Sequence, residues 1–124
     1  MQTQLTFLSL QSRDRPALAE FFQATLGFTI ADQPNPAATV FADDGGAIFA
    51  VRDPQGDLPE GPLGLGVAPW FGVRGPLSEY LERVVSGGGR IVKTPFPPPF
   101  GPACVFATPV DHYSITLYQV DHRG

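Results

Sequence analysis

The chemistry open to this chain is limited first by its histidines, of which there are two, His112 and His122. Imidazole is the side chain that moves protons near neutral pH, and it is a frequent ligand of transition metals. His112 is a candidate general base, with a plain turn residue beside Asp111 as the alternative. His122 falls in a C-terminal tail expected to fray. Arg52 and Arg74 fall at expected strand ends, where a guanidinium could bind a carboxylate or phosphate; solvation or pairing with nearby acids is the alternative. If the chain catalyses a reaction, His112, Tyr118 and Arg52 are the candidates. No nucleophile arrangement is visible. Cys104 lies in an apolar run with Ala103, Val105 and Phe106 and reads as a small buried hydrophobe. Gly87 to Gly89 follow a helix, the wrong side for anion binding at a helix N-terminus.

A second set of residues suits binding without catalysis. Phe7, Ser9, Phe49, Trp70, Phe100, Thr116 and Tyr118 are expected to line a ligand site of aromatic walls and a few hydroxyls. The alternative is that Phe7, Phe49 and Trp70 fill the interior and leave no pocket. Tyr80 and Tyr113 read as packing. Prolines hold Thr94 to Gly101 extended, so that Phe96 and Phe100 form either a stiff lid or part of a dimer seam.

These residues must be positioned by short elements. Gln4 to Gln11 reads as a strand with no polar face: Leu5, Phe7 and Ser9 on one side, Thr6, Leu8 and Leu10 on the other. Asp14 can cap a helix with Pro16 in its first turn, and Gly27 can end it in a left-handed conformation. Leu18, Phe21, Phe22 and Leu26 form the apolar stripe. Strands follow at 28–31, 38–42 and 47–52, the last two joined by a hairpin turn at Asp43-Asp44-Gly45-Gly46. After a linker the order restarts: a strand at 65–73, a helix opened by Gly75-Pro76, and strands at 90–93, 103–107 and 113–118. Leu77, Tyr80, Leu81 and Val85 each follow their counterparts in the first stripe by 59 residues. The chain is thus expected to be one α+β domain over 1–124, with a βαβββ module at 3–53, a linker at 54–63 and a second module at 64–120. One such unit cannot bury its sheet alone; two make a curved mixed sheet of about eight strands around a cleft.

Composition excludes several classes. A chain of 124 residues, 43% hydrophobic and 16% charged, suits one globular domain. Its net charge of −4 argues against a nucleic-acid partner. No apolar run approaches the roughly twenty residues of a membrane span, and no leader is recognisable, so a cytoplasmic location is expected.

The stretch FLSLQSRDRPALAEFFQATLGFTI resembles the opening of vicinal-oxygen-chelate proteins, the glyoxalase / bleomycin-resistance / dioxygenase superfamily. Gly88-Gly89-Arg90-Ile91-Val92, Pro99-Phe100-Gly101 and the final ITLYQ resemble its ending. The resemblance implies the paired βαβββ fold and a homodimer. It also implies a divalent metal held by His, Glu or Gln on the first and last strands of each unit. Carried onto this sequence, those positions fall on Phe7, on Ala68 or Trp70, on Phe49 or Ala50, and on Thr116 or Ile115. None is a His, Glu or Gln, and hydrocarbon around an unliganded cation is very costly. The family's Asp-Pro-Asp-Gly turn is replaced by Thr108-Pro109-Val110-Asp111-His112. No metal or other cofactor is therefore expected. The expected function is metal-independent binding of an apolar or aromatic small molecule, similar to the drug-sequestering members. A lyase or isomerase working without the family metal, or a structural or regulatory relative with a filled cleft, are the alternatives.

Overall fold

Local signals set the first helix. The Asp14 carboxylate accepts the Ala17 amide at 3.2 Å, and the Ser12 hydroxyl accepts the Asp14 amide at 3.0 Å. Both satisfy amides that a helix start leaves unpaired. In the computed structural model, which describes residues 1–32, 35–99 and 101–120, this cap opens α1 (Arg15–Glu20). The helix then widens into a π-helical turn over Phe21–Thr25. Gly27 closes it at φ 78°, the left-handed position expected. The wider turn changes which residues face inward: Thr25 is buried in place of Leu26, which is half-buried.

The first unit, Met1–Pro59, contains β1 (Leu8–Gln11), α1, β2 (Thr29–Ile30), β3 (Ala38–Asp43) and β4 (Gly46–Arg52). Its sheet order is β1-β4-β3-β2, with β1 parallel to β4 and the other pairs antiparallel. Asp43 pairs with Gly46 across a two-residue Asp44-Gly45 turn, and the Asp43 carboxylate accepts the Gly45 amide at 2.8 Å. Five phenylalanines form the core. The fully buried Phe22 ring meets Phe21, Phe28, Phe41 and Phe49 edge-on, with centroids 5.3–6.2 Å apart.

The second unit, Glu60–Gly124, contains β5 (Trp70–Val73), α2 (Leu77–Ser86), β6 (Arg90–Phe96), β7 (Ala103–Ala107) and β8 (Ser114–Gln119). Its order is β5-β8-β7-β6, with the parallel pair again between the first and last strands. α2 ends through Gly88 at φ 96°, with Gly89 donating to the Val84 carbonyl and Gly88 to that of Val85. Leu77 and Val84 are its buried residues, and Val85 is exposed. The 59-residue offset therefore survives with Thr25 and Val84 as its last pair, and only the last member of each expected stripe, Leu26 and Val85, was one residue late. The division between units falls after Pro59, inside the expected linker.

Two strands are shorter than expected. Residues 4–7 and 65–69 lie outside β1 and β5, and Leu5 and Leu65 are exposed. Apolar composition marked those residues as strand; the ladders begin only at Leu8 and Trp70, although the Pro69 carbonyl accepts the Thr116 amide at 3.0 Å just ahead of β5. β6 is longer than expected because the prolines extend it to Phe96 along a sheet edge, where a missing amide costs no ladder bond.

Candidate functional site

In each unit the strands have one face under the helix and one turned away from it. Register decides which residues stand on which, because bridged partners share a face. In the first unit Leu8 pairs with Phe49 and Leu10 with Val51, while Ser9 pairs with Ala50 and Gln11 with Arg52. Phe49 stacks on Phe41 at 4.8 Å and meets Phe22 from the helical segment. Phe49 and Val51 therefore belong to the core, and the expectation that they line the ligand site is corrected. Ala50, in register with Ser9 and Val40, has the opposite phase, and at 2% exposed it is itself buried. Phe7, 37% exposed, and the exposed Ser9 stand on the outer side as expected. Two hollows of about 430 and 470 Å³ lie over the β2–β3 edge, sharing Ala31, Asn35 and Val40.

Arg52 is half-buried on this outer face and donates through Nε to the Asp53 carbonyl at 3.1 Å. The Asp53 carboxylate goes instead to Arg15, whose Nε lies 2.8 Å from Oδ1. Arg15 also donates to Thr39 Oγ1 and the Pro36 carbonyl, so it ties the start of α1 to the sheet. Arg52 has no ion pair among the described residues and keeps its charge available to an anion.

In the second unit Trp70 pairs with Thr116, and Gly72 with Tyr118. Trp70 is 45% exposed, and its ring lies 5.8 Å from that of Tyr118, tilted by 58°. Gly72 makes room for Val120, whose Cγ1 a Cβ there would meet at 2.6 Å, while the Tyr118 hydroxyl would lie in ordinary contact at 3.4 Å. Thr116, only 5% exposed, is a short residue on the floor beneath taller neighbours. Trp70, Thr116 and Tyr118 thus come together on one face, as the alternation along their strands predicts. Sequence reasoning overlooked Lys93, which pairs with Val105 and so stands on this face too. Register shifts on both sides of Lys93 hide its phase from simple alternation.

The remaining candidates are dispersed. His112 is exposed in the turn between β7 and β8, at φ 53° directly after Asp111 at φ 65°. Tyr118 lies near the opposite end of β8, more than about 13 Å away by strand rise, so the two do not converge. Arg74 is exposed beyond β5, its carbonyl accepting the Tyr80 hydroxyl. Cys104 is fully buried, and desolvation pushes its thiol up to about 11 from an ordinary 9.0. Such a thiol is inert. Phe100 and His122 lie outside the described residues.

The family's divalent metal does not fit the donor set. The positions away from the helices hold Phe7, Ala50, Trp70 and Thr116, which offer hydrocarbon, an indole and one neutral hydroxyl. Among the described residues, no three of His, Cys, Asp and Glu converge. No helix among them is long and apolar enough to cross a membrane.

Solved structures share this architecture. A glyoxalase/bleomycin resistance protein/dioxygenase family enzyme from Burkholderia phytofirmans PsJN superposes with a TM-score of 0.76 at 15% identity, covering 95% of this chain and 99% of that one. A glyoxalase-related enzyme from Fulvimarina pelagi gives 0.74 at 21% identity, covering 95% and 88%. TnmS3, an antibiotic binding protein from Streptomyces sp. CB03234, gives 0.67 at 22% identity, covering 95% and 96%. No curated protein matches the sequence. At these identities the likeness establishes the fold. The family model for the Glyoxalase/Bleomycin resistance protein/Dioxygenase superfamily independently matches residues 4–117. With two βαβββ units in the order its sequence resemblance implies, the chain belongs to that superfamily.

Proposed function

We propose that this chain is a metal-independent binding protein that holds an apolar or aromatic small molecule against the outer face of its sheets. The observation that carries the reading is the Trp70–Tyr118 pair, an indole and a phenol left side by side on a strand face above the short Thr116. An indole this exposed forgoes much of the burial its size would provide, and it offers a flat ligand a surface to stack on. The donor set supports independence from a metal, and the description of TnmS3 as an antibiotic binding protein supports a binding role on this fold. The reading includes a homodimer, as the resemblance implies, and a cytoplasmic location.

The test uses untagged protein whose metal content has been measured by mass spectrometry. A panel of planar aromatic compounds is titrated while the emission of Trp70, the only tryptophan, is followed with and without chelator. The expected result is substoichiometric metal and quenching that chelator leaves unchanged. Stoichiometric metal with binding abolished by chelator would overturn metal independence. Failure of every compound to alter either Trp70 emission or the melting temperature would overturn the binding role.

A further inference from the structure

The Trp70 face of the second unit carries charge as well as aromatic surface. Along the edge strand β6, Arg90 pairs with Ala107, Lys93 with Val105 and Phe96 with Ala103. Those three β7 residues pair in turn with Ser114, Thr116 and Tyr118. Two transverse rows result. One runs Lys93, Val105, Thr116, Trp70; the other runs Phe96, Ala103, Tyr118, Gly72. Aromatic groups thus stand in both rows: Trp70 ends the first, Tyr118 stands beside it in the second with Phe96 at the far edge, and Val105, Thr116 and Ala103 lie between as shorter residues. The Lys93 ammonium sits 4.3 Å from the Phe96 ring centroid, which holds its stem along this face.

The charge on this face is of one sign. Arg90 and Lys93 are both exposed on it, and neither is ion-paired among the described residues. None of the four strands of the sheet contains an Asp or Glu. The whole chain, by contrast, has a net charge of −4. An acidic protein that keeps carboxylates off the strands of one sheet and places two cations on the far edge of the face that carries an exposed indole presents a locally positive, stacking surface.

From this we infer that the ligand of this face is a planar aromatic anion: fused rings stacked on Trp70 and Tyr118, with a carboxylate directed to Lys93. The inference rests on the binding role proposed above and narrows its ligand class. β5 and β6 are three strand spacings apart, about 14 Å. Lys93 stays over Phe96 on that edge, but Tyr118 stands on β8, two strand spacings or about 10 Å from β6, so two or three fused rings lying on the Trp70–Tyr118 pair bring a carboxylate to the Lys93 edge. Arg90, on the same strand and face as Lys93, adds a second cation for the same charge. The competing explanation is that Arg90 and Lys93 only guard an edge strand against pairing with another chain.

The test compares 2-naphthoate with 2-naphthamide, which share the ring system and differ in charge, by calorimetry at low and moderate salt. The carboxylate is expected to bind about tenfold more tightly at low salt, a ratio ordinary for one charge-assisted contact, and to lose part of that advantage as salt rises. Lys93→Gln should remove most of the difference while leaving the amide's affinity in place, and Trp70→Leu should weaken both compounds. Equal affinities that still depend on Trp70 would overturn the anion assignment and leave the binding role standing. Discrimination unchanged in Lys93→Gln, with new self-association, would show an edge guard and overturn the assignment. Neither compound binding would overturn it as well, and the neutral aromatics of the wider panel would then decide the binding role separately.

Discussion

Replacing Phe49 by alanine separates the core of the first unit from its outer face. The Phe49 ring is 4% exposed and lies 4.8, 5.0 and 5.3 Å from the rings of Phe41, Phe28 and Phe22. Losing a ring of this kind removes its transfer free energy and leaves a cavity that the surrounding aromatics fill only in part. The expected cost is about 3–5 kcal/mol. That is a large share of the roughly 5–15 kcal/mol by which a domain is stable. In a domain of this length it corresponds to a fall in melting temperature of roughly 10–20 °C. Phe49→Leu keeps most of the volume and should cost about 1–2 kcal/mol, so the series remains measurable if the alanine variant is mostly unfolded. Trp70→Ala is the matched control on the other kind of face. Its ring is 45% exposed, and about 1 kcal/mol is expected. Urea denaturation followed by circular dichroism reads all three. A Phe49→Ala protein within about 1 kcal/mol of the parent that had also lost aromatic ligands would place the ring on the outer face. The β1–β4 register assignment would then be refuted.

Three further outcomes follow from local geometry. His112 is exposed at φ 53°, so His112→Gly should relieve left-handed strain and raise stability by roughly 0.5–1 kcal/mol after the extra unfolded-state entropy is subtracted; a loss on urea denaturation would mean the imidazole makes a needed contact. Gly64 sits at φ 74°, and a Cβ there would lie 2.5 Å from the Tyr113 ring, so Gly64→Ala should cost more than about 2 kcal/mol, whereas the same change at Gly56, where nothing lies within 4 Å, should be nearly neutral. The Cys104 thiol, raised from 9.0 to about 11 by burial, holds its proton more tightly in the folded state than in the unfolded one. Its contribution to stability is therefore complete below about pH 9 and is lost as pH rises toward 11. Cys104→Ala should flatten that part of the pH–stability curve, and thiol reagents should label the native protein only at the rate it opens; rapid native labelling would contradict the burial.

Much of the fold was legible because its signals are local. Asp14 and Gly27 mark the limits of the first helical segment, Asp44-Gly45 marks the hairpin, and Gly88 marks the end of α2, each through a backbone conformation or hydrogen bond set by a few neighbouring residues. The residue types at the positions carried over from the family, Phe7, Ala50, Trp70 and Thr116 among them, could be read directly from the chain. The alternation in β5 and β8 was legible as well, and it placed Trp70, Thr116 and Tyr118 on one face.

The order of elements, their caps and the donor-poor strands follow from the sequence alone, because each depends on residues close together in the chain. The tertiary structure decided the face of each strand that is apolar on both sides. β4 reads Ala-Ile-Phe-Ala-Val without a polar phase, and only its register against β1 and β3 assigns Phe49 to the helix side and Ala50 to the other, both of them buried. It also decided the π-helical turn that exchanges Leu26 for Thr25, and the register shifts that bring Lys93 onto the face of Trp70. Pairing between strands is a long-range interaction, and a shift of one residue reverses every side chain, so strands without alternation acquire their inside and outside only when their neighbours are in place.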